Sequence, residues 1–345
     1  MASETIDSPV ESGKFIAENS EDVTIEAKGV SAIADLVLKG LKGADPEVHV
    51  GRWKLHALNV KTEDEAALDW VFLTDIGNFS FWSDETIGKY MVKYGGEEWT
   101  GYWSYVAAIN RALDEGIPFT SAKFLSTLTK QTLEKILRSD SEFEIPMIDE
   151  RVQVLKEAGL VLLEKYDGSI SNLIKKADHS AQKCLELLVA DFPSLRDTAE
   201  FKGKKVCLYK RAQILIADIW ACCGGKGLGQ FDDIDSITMF ADYRIPQALV
   251  WFGALKYSDS LLKKLKEGKM FSNGEREEVE IRGCTIWAVQ LVVDEVKKAI
   301  EKDADVDNDT KINAIMVDHY LWDYRREHAE ETKDVPFHLT RCIYY

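Results

Sequence analysis

The sequence predicts a mainly α fold with a few short strands, and three observations carry that expectation. Apolar residues recur at helical spacing through 121–166, 181–192 and 211–223. Strand-like stretches are confined to VTIEAKGV (23–30) and the short VCLY (206–209). With only seven prolines in 345 residues, no interdomain linker is visible. Residues 1–12 are small, polar and acidic and read as a disordered tail. Residues 13–345 read as a single domain.

In chain order, SAIADLVLKGL (31–41) places Ile33, Leu36 and Val37 on one helical face. RWKLHALNV (52–60) sets His56 among Trp53, Leu55 and Leu58, a position that suits a core histidine or a site residue. Two aromatic clusters follow. The first, at 67–85, carries Trp70, Phe72, Phe79, Phe81 and Trp82 around a DIGN turn at 75–78. The second, at 94–113, carries Trp99, Tyr102, Trp103 and Tyr105. Rings at this density build a core and also make stacking walls for a flat heterocycle. Lys202, Lys204, Lys205, Lys210 and Arg211 form the notable basic cluster, read as a solvated face or, alternatively, a phosphate contact. GGKGLG (224–229) lacks the Ser or Thr and the preceding strand of a phosphate-binding loop. Helices are expected over about 284–302 and 309–329, and the closing VPFHLTRCIYY is apolar enough to tuck into the body.

Net charge bounds the partners. Lys plus Arg is 43 against 59 for Asp plus Glu, a formal charge of −16, which repels long phosphate backbones but not one small anionic ligand. Six cysteines without a C-x-x-C pair read as buried thiols, and no apolar run is long enough to span a membrane, so the expected compartment is the cytoplasm.

Two stretches place charge inside apolar sequence. In SITMFADYRIPQAL (236–249), Asp242 and Arg244 fall between Phe240 and Ile245, and Pro246 favours the first turn of a new helix. Asp242 is there either to cap that helix or pair with Arg244, or else to serve a site, because a lone buried charge is costly. In DNDTKINAIMVDHYLWDYRRE (307–327), Asp307, Asn308 and Asp309 are N-cap candidates, and the middle is apolar nearly all round except for Asp318 and Asp323. Asp323 shares the stripe of His319, whereas Asp318 lies about 140° round the helix. These carboxylates either pair with Arg325, Arg326 or lysines elsewhere or, with Asp242, face a cleft and stabilise a positive transition state such as the oxocarbenium ion formed when a glycosidic bond breaks.

RWKLHALN, DWVFLTDIGNFSFWSD (69–84), the MFADYR stretch, LWDYRRE (321–327) and FHLTRCIYY (337–345) resemble the queuosine salvage protein family, in order and over nearly the whole chain. The resemblance implies a fold related to helix-hairpin-helix DNA glycosylases. It also implies hydrolysis of queuosine 5′-monophosphate to release queuine, a 7-deazaguanine base, for tRNA modification. Phe240 is then the stacking face and Asp242 the acceptor for the guanine-like edge. His56 is a base or ribose contact, Asp323 the catalytic carboxylate, Tyr324 a lining residue and Asp318 a second candidate. Arg244 and Lys204 are expected phosphate contacts by charge alone. No metal or cofactor and no long nucleic acid are expected. The alternatives are a non-catalytic queuine or nucleoside carrier and a DNA-base glycosylase; the second is disfavoured by the negative charge.

Overall fold

The computed structural model describes residues 5–6, 8–42, 52–83, 88–302 and 311–345. It is mainly helical, 58% helix against 8% strand, so the expected secondary-structure class holds. The chain folds into two compact units, one of residues 1–52, 197–213 and 235–341, the other of 53–196, 214–234 and 342–345. All six cysteines are free and buried. Among the described residues, no helix is long and apolar enough to cross a membrane.

The first unit is organised on helix Arg276–Ile300, against which Pro9–Asn19, Ala27–Lys42 and Ala314–Glu327 all pack. Close approach comes from small residues: a Cβ on Gly283 would collide with Ile16, and one on Gly13 with Ile286. The sequence places the start of this helix near residue 284, but it begins two turns earlier. Those turns carry Glu277, Glu278, Glu280 and Arg282, all buried, so no apolar stripe announces them. Glu280 is held by the Ser20 hydroxyl and the Asp22 backbone N–H at 2.9 and 2.8 Å.

The 23–30 stretch splits differently from its alternation. Only Val23–Ile25 is strand, antiparallel to Leu255–Tyr257, and the chain turns helical at Ala27 with Val30, Ile33, Ala34 and Val37 buried on one face. Thr5–Ile6 pairs in parallel with Lys204–Cys207, and helix Pro9–Asn19 starts at a Ser8 cap, so the first twelve residues include ordered structure. The basic cluster is not uniformly solvated either: Lys210 and Arg211 are buried.

A test of this packing comes from Gly29, where a Cβ would run into the backbone of Gly253 and Ala254. Because backbone cannot swing aside as a side chain can, Gly29→Ala is expected to lower stability by about 3 kcal/mol. Chemical denaturation reads this directly, and wild-type stability would contradict the described crossing.

The second unit carries helices Glu65–Ile76, Tyr102–Asp114 and Ile148–Lys165 among shorter ones, and the hairpin Met91–Tyr94 with Glu97–Thr100. The expected turn at 75–78 falls where helix Glu65–Ile76 ends on Gly77. Buried Arg151 donates to the carbonyls of Gly77 and Phe79, and its guanidinium lies 4.3 Å from the Phe79 ring centroid. The two aromatic clusters of the sequence thus include much of this unit's core. Ser80 N–H donates to the Tyr345 carbonyl at 2.8 Å, which secures the apolar closing segment.

Candidate functional site

The segment from Ile237 to Tyr243 has no regular secondary structure although nearly every residue in it is buried. Asp242 N–H donates to the Phe240 carbonyl at 2.7 Å, and side chains satisfy other backbone groups of the segment. Thr238 N–H donates to Gln213 Oε1 at 3.0 Å, and Phe240 N–H donates to Asp318 Oδ2 at 2.9 Å. The Ala241 carbonyl accepts from Arg282 Nε at 2.8 Å. These bonds fix the backbone on either side of Phe240 and Asp242.

Asp242 Oδ1 accepts from the backbone N–H groups of Arg244 and Ile245, at 2.8 and 2.9 Å. This is a side-chain turn just ahead of helix Ile245–Trp251, whose N-cap is Arg244, and not the helix cap that the sequence offered as one alternative. Asp242 is only partly buried, and its Oδ2 makes no hydrogen bond among the described residues. One oxygen is thus committed to this backbone turn, while the other is not. The Arg244 guanidinium does not pair with Asp242. It lies over the rings of Tyr243 and Phe337, 5.1 and 4.7 Å from their centroids, and donates to Gln247 Oε1 at 2.9 Å.

Helix Ala314–Glu327 packs against Ile245–Trp251 and brings Asp318 to this segment; Asp323 lies on the same helix. Its cap is Asn313, whose side chain accepts from Met316 N–H at 3.1 Å; the expected caps at 307–309 lie outside the described residues. Asp318 is buried and Asp323 is partly exposed, as their opposite sides of the helix require. Phe240 meets this helix at Asp318 and at His319, with ring centroids 5.9 Å apart; one turn later Phe252 meets Tyr324 at 4.8 Å. Tyr324 stacks in turn on His328, 4.0 Å away and 13° from parallel. Phe240, Asp242, Asp318, Asp323 and Tyr324 therefore belong to one unit and to two segments in contact.

His56 belongs to the other unit. It closes helix Arg52–Leu55 and lies flat on Trp103, centroids 3.4 Å apart and 8° from parallel, with Trp99 edge-on. Lys204 sits on strand Lys204–Cys207, its ammonium 5.1 Å over the ring of Phe15.

Two histidines and a buried ion network were not singled out by the sequence. Burial pushes His319 down to about 4, and burial together with the Arg282 charge pushes His338 down to about 3. Both are neutral when folded at physiological pH. The unfolded chain takes up protons near the ordinary value of 6.5 that the folded one refuses, so stability is expected to fall as pH drops from about 6.5 towards 4. His319→Gln should flatten that decline in thermal-unfolding midpoints. An unchanged slope would contradict the buried, neutral assignment. The ion network, Arg282 with Asp197 and Glu278, was signalled only by the i, i+4 spacing of Glu278 and Arg282.

Comparison with known proteins decides the family. The family described as "Queuosine salvage protein" matches residues 58–345. The chain belongs to the queuosine salvage protein family. A Bos taurus protein named queuosine 5′-phosphate N-glycosylase/hydrolase is 54% identical over 338 residues, covering 98% of each chain. Proteins with the same name from Schizosaccharomyces pombe and Sphaerobacter thermophilus are 42% and 34% identical, over 97% and 96% of this chain and 99% and 95% of theirs. The Phe240–Asp242 segment and the helix of Asp318 and Asp323 both lie within the matched residues.

Proposed function

We propose that this protein hydrolyses the N-glycosidic bond of queuosine 5′-phosphate and releases queuine for salvage into tRNA modification. The observation that carries the reading is family membership over nearly the whole chain, joined to a ring and three carboxylates on two contacting segments. In this reading the fold is a relative of helix-hairpin-helix DNA glycosylases turned to a nucleotide, and the compartment is the cytoplasm.

The chemistry follows from the groups. The guanine-like edge of queuine presents N1–H and N2–H side by side, and Asp242, with Oδ2 open, accepts from that edge. Phe240 supplies a stacking face and Tyr324 lines the ribose side. Bond breaking sends the C1′–N9 electron pair to the base and leaves positive charge on C1′ and the ring oxygen. Water then adds to C1′ and a proton reaches the base. A 7-deazaguanine has carbon where guanine has N7, so protonation there cannot help the base leave. Stabilisation of the ribosyl cation must carry more of the barrier, and Asp323 supplies it as nucleophile or as electrostatic partner. Asp318, committed through Oδ2 to the Phe240 backbone, adds negative potential and holds the stacking ring. Arg244 is the cation proposed for the 5′-phosphate.

Incubating the purified protein with queuosine 5′-phosphate, with nothing added, and following products by mass spectrometry tests this. Queuine and ribose 5-phosphate are expected in equal amounts. Intact nucleotide that remains bound to folded protein would leave a carrier instead.

A further inference from the structure

We propose that Arg282 is a positioning residue for base recognition, acting through the Ala241 carbonyl that it holds between Phe240 and Asp242. The inference rests on the reading of those two residues as the base contacts. Arg282 is buried, on the central helix of its unit. Its guanidinium is used on two sides. Nε donates to Ala241 O at 2.8 Å, while Nη1 and Nη2 grip Asp197 as a fork, at 3.0 and 2.5 Å, and Nη1 also donates to Glu278 Oε1 at 3.2 Å. Asp197 is itself oriented, since its Oδ2 accepts from Lys210 N–H at 3.1 Å. The fork therefore has one orientation, and that orientation aims Nε at the irregular segment.

Stability alone is a weak reason for such a network. Buried ion clusters carry a desolvation penalty, and well-packed apolar replacements are often as stable or more so. A fixed planar donor array offers geometry instead, and here it is spent on a segment that has no sheet or helix of its own to set its backbone. Lysine keeps the charge but cannot bridge two carboxylates and a carbonyl in one plane. Because the base contacts act on substrate and transition state alike, their displacement should raise KM and spare kcat.

The experiment is steady-state hydrolysis of queuosine 5′-phosphate by wild type, Arg282→Lys and Asp242→Asn, with unfolding midpoints for each. Losing one hydrogen bond to a charged donor corresponds to about tenfold, so Arg282→Lys should raise KM about tenfold with kcat within about threefold. A folded Arg282→Lys enzyme with wild-type KM overturns the proposal, whatever its midpoint. If that variant does not fold, Asp197→Asn replaces it; this substitution keeps the guanidinium but weakens its fork, and the same two results decide. Should Asp242→Asn also keep wild-type KM, the base-contact reading falls, and this inference with it. If Asp242→Asn alone raises KM, only the role of Arg282 is lost.

Discussion

Replacing Asp323 with Asn is expected to slow queuine release by about two to three orders of magnitude while leaving nucleotide binding within a few-fold of wild type. The substitution is isosteric and the side chain is partly exposed, so folding should be unaffected. What disappears is the negative charge proposed to face C1′. Loss of one preorganised electrostatic partner costs about 3–4 kcal/mol of barrier, or two to three orders of magnitude in kcat. A base without N7 gives the reaction little leaving-group assistance, so the loss should sit at the upper end. Single-turnover release and equilibrium binding, measured on the same preparation, separate the two effects. A wild-type rate would remove Asp323 from the mechanism and turn attention to Asp318.

The second large effect is expected at Asp242, where Asn distinguishes structure from recognition. Asparagine supports the same side-chain turn as aspartate, so Oδ1 can still accept from Arg244 and Ile245 N–H. The other branch then becomes an NH2 donor facing the two donors of the base. Flipping the amide does not help, because the NH2 would meet the two backbone N–H groups. Leaving buried donors opposed costs several kcal/mol, so KM is expected to rise at least about 100-fold with little change in the unfolding midpoint. A folded Asp242→Asn enzyme with unchanged KM would show that the base edge is read elsewhere.

The parts of this molecule legible in the sequence are those that local physics dictates. Helix Ala314–Glu327 announced itself by an apolar surface interrupted by two aspartates, and Asp242 by a charge just ahead of Pro246. What stayed hidden depended on partners distant in the chain. The charged opening of helix Arg276–Ile300 looks solvated until Asp197 and Asp22 are seen beside it. Ala27–Lys42 begins inside an apparent strand, because alternation over so few residues also fits the buried face of a helix. The bond from Phe240 N–H to Asp318 joins residues 78 positions apart, and no spacing rule reaches that far. The role of the carboxylates comes from the family resemblance, since residue spacing alone leaves capping or ion pairing open beside catalysis.

A crystal structure of the protein with queuine bound tests the central claim most directly. The account predicts the base stacked on Phe240 with N1–H and N2–H directed at Oδ2 of Asp242, and Asp323 on the side from which the ribose would extend. Queuine held with no contact to either Phe240 or Asp242 would contradict it.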